Sequence, residues 1–378
     1  MTQTDPRQWV VLATPDDPLV LDSGSQLTHV EVAYETWGTL NDTATNAIFI
    51  PHALTGDSHA SGTPESPGWW DTMVGPGKPV DTDRFFVICP NLLAGCRGTT
   101  GPLSVDPATG RPYGLDFPLI SISDFVQLHR RLIRHLKINR LLACVGGSLG
   151  GMQALQWAVD APEEMAHAVV VAASSRLSAQ NIAFSAVARS AIMRDPAFNS
   201  GRYFEDESSE GPRTGLAVAR MMAHITYLSE EAMQDKFGRR IQDAETPRLR
   251  FGVDFAVESY LEHQGSTFLD RFDPLSYIYL SRALDYYDVF ADPHWSDRLQ
   301  AAPTKTEFLV MSFDSDWRFS TDHSRRITRK LEQARQPVSF REIRASHGHD
   351  SFLLDVPDYL DTVKAFLDHA AEGVLDEA

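Results

Sequence analysis

The order of strand-like and helix-like patterns along the chain is the strongest constraint on its fold. Apolar runs rich in β-branched residues alternate with segments whose apolar residues have helical spacing, which predicts a mostly parallel sheet with helices on both faces. The strand patterns cover residues 29–38, 46–54, 84–93, 140–147, 167–174, 306–316 and 338–346. The helix patterns cover residues 124–138, 149–159, 321–335 and 356–371.

The alternation stops between residues 178 and 300, where the sequence is mainly helical in character. The clearest single helix there is predicted at 217–237. A segment of this length far exceeds an ordinary loop and is typical of an insertion. We therefore predict a core formed by residues 1–177 and 301–378, and a helical lid formed by residues 178–300 over the C-terminal edge of the sheet.

Charge and composition exclude several classes of partner. The formal net charge of −17 argues against nucleic acid and anionic membranes, whose phosphates the protein would repel. No apolar run approaches the roughly 20 residues that span a bilayer, and the first residues do not resemble a signal peptide, so a cytoplasmic protein is expected. Three cysteines without C-x-x-C and thirteen histidines without H-E-x-x-H indicate no metal site and no permanently bound cofactor.

A G-x-S-x-G motif at residues 146–150 carries the first candidate catalytic residue. It follows the strand pattern 140–147 and begins the helix pattern 149–159. A serine on such a sharp strand-to-helix turn has an exposed hydroxyl, as in the nucleophile turn of the α/β-hydrolase fold. This context favours Ser148 as a nucleophile over a passive serine in a glycine-rich turn.

A serine hydroxyl needs a general base, and the base needs an orienting carboxylate. In the α/β-hydrolase fold the carboxylate and the histidine follow the serine in that order, each after a later strand. Asp314 and Asp316 end the strand pattern 306–316, and His347 and His349 follow the strand pattern 338–346. We favour Asp316 and His349, with Asp314 and His347 as the alternatives.

Two further groups of candidate residues surround this triad. An oxyanion hole requires two backbone N–H groups, which we assign to Leu149 and to Leu54 or Thr55. On the helix predicted at 217–237, Arg220 and Tyr227 lie seven residues apart with His224 between them, so the three share one face. An arginine there could bind a carboxylate, although spacing alone favours a solvated side chain.

Several longer blocks resemble the homoserine O-acyltransferases of the α/β-hydrolase superfamily, specifically the homoserine O-acetyltransferases. The resemblance extends from residue 28 to residue 370. Its blocks are HALTGDSHASG (52–62), the segment 68–114 with GCRGTTGP, VGGSLGGMQALQWA (145–158), ARMMAHITY (219–227), SDWRF (315–319) and GHDSFLLD (348–355).

The resemblance implies a two-step transfer of an acetyl group from acetyl-CoA, a co-substrate, to L-homoserine, giving O-acetyl-L-homoserine for methionine biosynthesis. Ser148 would carry the acetyl group, with His349 as base and the Leu54 and Leu149 amides holding the oxyanion. Arg220 would bind the homoserine carboxylate, Asp350 the amino group, and Tyr227 would line the tunnel. The lid would also form a homodimer interface.

Departures from the family pattern concern the pocket. Leu149 stands where the family commonly has Met, and Arg318 stands where an aliphatic residue is common. Leu228 stands where Arg is common. Acetyl-CoA is the expected donor because LTGDSH (54–59) lacks the histidine-rich stretch of the succinyl type. Succinyl-CoA is the alternative, and Arg97 could pair with its distal carboxylate. Transfer to serine and simple ester hydrolysis are the less favoured readings.

Overall fold

The computed structural model describes residues 5–206, 208–244, 246–248 and 251–372. The strands are β1 (Gln8–Ala13), β2 (Leu19–Val20), β3 (Gln26–Leu27), β4 (Val30–Trp37), β5 (Ala47–Phe49), β6 (Val74–Gly75), β7 (Val80–Asp81), β8 (Phe86–Pro90), β9 (Leu141–Gly147), β10 (Met165–Val171), β11 (Glu307–Phe313) and β12 (Val338–Ile343). The helices are α1 (Ile122–His135), α2 (Leu149–Asp160), α3 (Ala179–Arg194), α4 (Arg213–Tyr227), α5 (Glu230–Phe237), α6 (Ala256–Phe268), α7 (Pro274–Tyr286), α8 (Trp295–Ala301), α9 (Thr321–Gln333) and α10 (Pro357–Ala371). Residues 1–4 and 373–378 of the predicted core, and residues 207, 245, 249 and 250 of the predicted lid, lie outside the described residues.

The main sheet has eight strands in the order β1-β4-β8-β5-β9-β10-β11-β12. Pairs β1–β4 and β4–β8 are antiparallel, and the strands from β8 to β12 are parallel. This confirms the predicted mostly parallel sheet. The sequence patterns did not predict β1, because this edge strand exposes Trp9 and Val11 at 43% and 44% and lacks a buried apolar run.

Alternate residues of the parallel strands face two separate apolar clusters, as the two-residue period of a strand requires. Ala168 and Val170 of β10 belong to the cluster that contains buried residues of α1, α2 and α9. Val169 and Val171 belong to the cluster that contains buried residues of α10. Helices therefore cover both faces of the sheet, as the alternating sequence pattern predicted.

The helices between β10 and β11 pack mainly on one another. α4 contacts α3 and α6, and α3 contacts α7. A largely buried ion pair joins Arg189 of α3 to Asp285 of α7 at 2.5 Å. The last of these helices, α8, instead lies against α2, where Arg298 Nε donates to the carbonyl of Val159 at 3.3 Å. Within the described ranges, no helix is long and apolar enough to span a lipid bilayer.

The prediction of one continuous helix over 217–237 is wrong. α4 ends at Tyr227, Leu228 is extended with φ −92° and ψ 148°, and a new helix begins after Ser229. The Leu228 carbonyl accepts a hydrogen bond from the indole of Trp317 at 2.9 Å, and the Ser229 hydroxyl donates to the carbonyl of Ser346. The first bond satisfies a carbonyl that a continuous helix would have used, and the Ser229 hydroxyl also caps the new helix by accepting from the Ala232 amide at 2.9 Å. We call residues 228–229 the lid junction.

Candidate active site

Ser148 occupies the turn between β9 and α2 with φ 57° and ψ −123°, a backbone conformation that non-glycine residues rarely adopt. The glycines around it permit this turn. A Cβ on Gly146 would lie 2.2 Å from the carbonyl carbon of Gly150, and a Cβ on Gly150 would lie 2.1 Å from the carbonyl oxygen of Pro51. The motif therefore holds the serine at the C-terminal edge of the sheet, against the loop that follows β5.

Three side chains favoured by the sequence form one hydrogen-bonded chain. The Ser148 hydroxyl lies 2.9 Å from His349 Nε2. His349 Nδ1–H donates to Asp316 Oδ2 at 2.7 Å. The second oxygen of Asp316 accepts from the backbone N–H groups of Arg318 and Phe319, each at 2.9 Å. The imidazole is thus oriented with Nε2 directed at the serine.

Burial and charge act in opposite directions on the carboxylate of this chain. Burial by itself would raise the pKa of Asp316. The charge and hydrogen bond of His349, followed by the amides of Phe319 and Arg318, lower that pKa overall. Asp316 therefore stays ionised beside the imidazole, as stabilisation of a developing imidazolium requires.

The structure places the two alternative residues elsewhere. Asp314 accepts a hydrogen bond from the Ala345 amide at 3.0 Å and lines a polar surface cleft together with His347 and Arg344. Neither Asp314 nor His347 hydrogen-bonds Ser148 or His349 among the bonds between described residues.

The amides assigned to the oxyanion hole are free to bind a ligand. Among the described residues, neither the Leu54 N–H nor the Leu149 N–H donates a hydrogen bond to the protein. Leu149 is the first residue of α2, so its amide also lies at the positive end of the helix dipole. The neighbouring Thr55 is engaged through other atoms, since its hydroxyl accepts from Arg220 at 3.4 Å and its carbonyl accepts from Arg271 at 2.6 Å.

The arginine and tyrosine predicted on one helix face lie together on α4, above the triad. The Tyr227 ring is 6.0 Å from the His349 ring, centroid to centroid. The Arg220 guanidinium lies 5.8 Å from the Tyr227 ring and 4.6 Å from the Phe268 ring. Arg220 Nε is buried and has no hydrogen-bond partner within the described chain. A buried donor without a protein partner needs a water molecule, an ion or a ligand to complete its hydrogen bonding.

One turn further along α4, His224 is also incompletely bonded. The Tyr260 hydroxyl and His224 Nδ1 are hydrogen-bonded at 3.0 Å, and the hydroxyl is the donor in the tautomer that carries its proton on Nε2. His224 Nε2 is buried with no partner in the part of the chain that is described. Burial, followed by the charges of Arg220 and Lys236, lowers the pKa of His224 to about 3. The ring is therefore neutral, and Nε2 is a second unused donor on the same helix face as Arg220.

Asp350 lies beside the base, in the 3₁₀ turn Gly348–Leu353. Burial raises the pKa of its carboxyl group, and the positive charges of His349 and Arg220 offset part of that rise. Among the described residues, none donates a side-chain or backbone hydrogen bond to this carboxylate. Asp350 is thus placed to receive a cationic group from a ligand.

Comparison with known proteins agrees with this geometry. Residues 46–356 match a family model described as the alpha/beta hydrolase fold. A homoserine O-succinyltransferase from a Nocardioides species is 57% identical over 363 residues, covering 95% of this chain and 97% of that protein. The chain belongs to the homoserine O-acyltransferases. A homoserine O-acetyltransferase from Rhodopseudomonas palustris is 51% identical over 368 residues, covering 97% of this chain and 92% of that one.

Solved structures place homoserine acyl transfer and ester hydrolysis on one architecture. The crystal structure of homoserine O-acetyltransferase from Bacillus anthracis has a TM-score of 0.85 at 26% identity, covering 96% of this chain and 97% of that one. An esterase structure has a TM-score of 0.84 at 28% identity, covering 96% of this chain and all of that one, 100%. The acceptor of the acyl group therefore has to be argued from the site itself.

Sequence reasoning missed Gln153, which connects the two segments that carry Leu54 and Leu149 in this acyltransferase. Its buried amide donates to the carbonyls of His52 and Leu149, each at 3.1 Å, and its Oε1 accepts from His129 Nε2 at 2.8 Å. The loop that carries Leu54 is thereby fixed against the first turn of α2. A glutamine inside the apolar run LGGMQALQWAV was the signal available in the sequence.

Arg318, a departure from the family pattern, and Arg97, the alternative for a succinyl carboxylate, occupy different surroundings. Arg318 Nη1 donates to the Thr226 hydroxyl at 2.5 Å, and its guanidinium lies 5.5 Å from the Tyr227 ring. Arg97 instead faces Asp57, with 3.9 Å between Nε and the carboxylate. Over the described residues, no cluster of three or more His, Cys, Asp or Glu side chains is placed to hold a metal ion.

Proposed function

We propose that the enzyme transfers an acyl group from acyl-CoA to the hydroxyl of L-homoserine through an acyl-Ser148 intermediate. The observation that carries this proposal is the hydrogen-bonded chain Ser148–His349–Asp316, which lies beneath a buried arginine that has an unused donor. The names of the similar proteins support homoserine as the acceptor and an acyl-CoA as the donor.

In the first half-reaction, Ser148 Oγ attacks the thioester carbonyl while His349 Nε2 takes its proton. The Leu54 and Leu149 amides hold the oxygen that becomes negative. The carbon–sulfur bond then breaks, His349 returns the proton to the sulfur, and CoA leaves as a thiol. Ser148 remains as an acyl ester.

In the second half-reaction, the side-chain hydroxyl of homoserine attacks the ester carbonyl, and His349 takes its proton and passes it to Ser148 Oγ. We assign the α-carboxylate of homoserine to Arg220, with the free Nε2–H of His224 as a further donor one turn along the helix. The α-ammonium group is assigned to Asp350. Tyr227 lies between Arg220 and His349 and lines the path to the ester.

Arg318 favours a second candidate for the donor. Acetyl-CoA is the donor predicted from the sequence, but an acetyl group leaves no charge for Arg318 to meet. No ion pair to Arg318 is formed within the described ranges, and its guanidinium lies against Tyr227. The distal carboxylate of a succinyl group would supply a partner, and guanidinium is well suited to bind it. Arg97, which already faces Asp57, is the weaker choice.

Two assays test these assignments. Thiol release from acyl-CoA should require homoserine if the enzyme transfers the acyl group; equal release without homoserine would show hydrolysis and contradict the proposal. Acetyl-CoA and succinyl-CoA should then compete in one reaction, with the two products separated by mass. Arg318→Leu should reduce use of succinyl-CoA relative to acetyl-CoA, and an unchanged ratio would remove Arg318 from donor selection.

We also infer that the helical lid forms a homodimer interface. α3 and α4 pack together and between them expose five large apolar side chains, Ile182, Val187, Met193, Val218 and Ile225. Exposed apolar side chains on neighbouring elements are suited to a protein contact. Val187→Glu should yield monomers in sedimentation velocity, whereas Leu119→Glu, at a similarly exposed leucine outside the insertion, should not.

A further inference from the structure

Arginines from three separate segments converge around Thr55, the residue after Leu54. Arg220 Nη1 donates to the Thr55 hydroxyl at 3.4 Å, and Arg271 Nη2 donates to the Thr55 carbonyl at 2.6 Å. Their guanidinium groups lie 4.6 Å and 6.0 Å from the same Phe268 ring. The loop that carries Arg97 reaches this point as well, since the Cys96 thiol donates to the Arg271 carbonyl at 3.7 Å.

These like charges are only partly compensated. Asp57 is the carboxylate that faces Arg97. Burial, followed by the positive charge of Arg220, lowers the pKa of Arg271; Asp57 opposes that shift, and Arg97 adds to it. Clustered cations raise the free energy of the empty site, and a bound anion removes that repulsion. In a protein of net charge −17, such a local cluster is the kind of site that an anionic substrate needs.

The three arginines also differ in exposure. Arg220 is directed inward and has a buried Nε, whereas the Arg97 side chain is 41% exposed and Arg271 is exposed. The cluster thus extends from the acceptor site to solvent, beside the loop whose Leu54 amide is assigned to the oxyanion. In an acyl-CoA the pantetheine arm separates the phosphate groups from the thioester, so the phosphates would meet the exposed end of this cluster and not Arg220, whose Nε is buried.

We propose that Arg97 and Arg271 form the binding site for the phosphate groups of the acyl-CoA donor. The proposal rests on the proposed function and deepens it, because it assigns a place to the part of the donor that does not react. Guanidinium groups bind phosphate oxygens through paired N–H donors, and two of them at an open edge can meet one pyrophosphate. Asp57 holds Arg97 at this edge until the ligand arrives.

The decisive test compares two donors that differ only in the phosphate-bearing half. Acyl-CoA and the same acyl group on pantetheine share the thioester and the arm, but acyl-pantetheine lacks the nucleotide and its phosphates. The quantity to measure is the ratio of kcat/KM for acyl-CoA to kcat/KM for acyl-pantetheine, at saturating homoserine. The wild-type enzyme should strongly prefer acyl-CoA, and that preference should weaken as ionic strength rises.

Arg97→Ala and Arg271→Ala should each lower this ratio about tenfold or more, which is the range for losing one charge-assisted contact to phosphate. Lysine at either position should keep part of the preference as a point charge. Arg329→Ala removes an exposed arginine of α9 and should leave the ratio unchanged. Arg97 makes no bond to Thr55 among the described residues and contacts this loop only through the 3.9 Å pair with Asp57, so its variant should disturb the Leu54 loop less than Arg271→Ala does.

Four results would overturn the proposal. Equal losses with both donors would show that the arginines only shape the site, and an unchanged ratio in both alanine variants would show that they do not contact the phosphates. If the wild-type enzyme had the same kcat/KM for acyl-pantetheine and for acyl-CoA, the phosphates would contribute nothing to donor binding. Wild-type enzyme that acylates homoserine with neither donor would refute the proposed function, and this site with it.

Discussion

The catalytic triad and helix α4 differ in how completely their polar atoms are bonded before any substrate binds. Ser148, His349 and Asp316 are joined by hydrogen bonds of 2.7 and 2.9 Å, and two backbone amides complete the carboxylate. On α4, Arg220 Nε and His224 Nε2 are buried and lack partners within the described chain. The groups that do chemistry are preorganised, which favours the transition state. The groups that we assign to substrate recognition keep hydrogen-bonding atoms without partners, which a bound substrate would satisfy.

The largest expected effect is on the preorganised side. Ser148→Ala should lower kcat by about 10⁶-fold, as loss of the nucleophile does in a working triad. The fold should be retained, because among the described residues the hydroxyl bonds only to His349 and alanine can keep the same backbone conformation. Initial rates and the midpoint of thermal unfolding check this. Residual turnover within a hundredfold of wild type would show that Ser148 is not acylated.

Removing the charge of the acid should cause the second largest loss of activity. Asp316→Asn should reduce kcat by roughly 10⁴-fold, because an amide can stabilise the wrong tautomer of the imidazole. Asp314→Asn is the matched control, since Asp314 bonds to the Ala345 amide away from the triad. If both variants lost activity equally, the assignment of the acid would fail.

On the recognition side, the effect should appear in the use of homoserine. Arg220→Ala should raise KM for homoserine about tenfold to a hundredfold, the range for one charged hydrogen bond to a carboxylate. Acylation of Ser148, followed by mass spectrometry without homoserine, should proceed at a much less altered rate. Arg213→Ala, at the exposed start of the same helix, is the control. An unchanged KM would break the comparison between the two regions.

Gln153 joins the loop that carries Leu54 to the first turn of α2, and it tests whether preorganisation extends to the assigned oxyanion amides. Gln153→Leu removes both donors that fix the His52 and Leu149 carbonyls, so the two oxyanion amides should move relative to each other. We expect kcat to fall about tenfold in both half-reactions with little change in either KM. Gln156→Leu is the control, because Gln156 lies on the same helix and bonds only to Asp160. A change confined to KM would contradict this role.

The smallest effect concerns pH. Burial raises the pKa of Asp350, so this carboxylate takes up a proton at a higher pH than an exposed aspartate would. The neutral acid cannot pair with the homoserine ammonium group, so KM for homoserine should rise by a few-fold as the pH falls. His224 stays neutral over the same range because its pKa is lowered to about 3. Asp350→Asn should raise KM and flatten its pH dependence; a persisting slope would point to another group.

The sequence predicted the sheet and the triad because both follow from local patterns in a fixed order. The strand before Ser148 and the helix after it are readable in the motif itself. Spacing alone could not decide between Asp316 and Asp314, because both residues follow the same strand. The hydrogen bond from His349 to Asp316 is what distinguishes them.

Other features depend on contacts between distant segments and could not be predicted. Gln153 donates hydrogen bonds to the carbonyls of His52, in the loop after β5, and of Leu149. In the sequence alone, a glutamine at this position looks like any other helix residue. The helix predicted at 217–237 is broken by bonds to Trp317 and Ser346, about ninety residues or more further along the chain. Ser229 followed by two glutamates is a helix-start signal, but helical periodicity on both sides concealed it.

The lid junction has a consequence for how the enzyme avoids wasting its acyl intermediate. Leu228 is bonded to Trp317 in the loop of the acid, and Ser229 to Ser346 in the loop of the base. Gly348 lies so close to Ser229 that a Cβ on Gly348 would be 2.5 Å from the amide nitrogen of Ser229. An outward movement of residues 228–229 would therefore break their bonds to the loop of Asp316 and to the loop of His349, and would displace both side chains together. A movement that admitted bulk water by this route would also displace the base that hydrolysis of the acyl-serine ester needs. Entry of water and hydrolysis of the ester would therefore exclude each other.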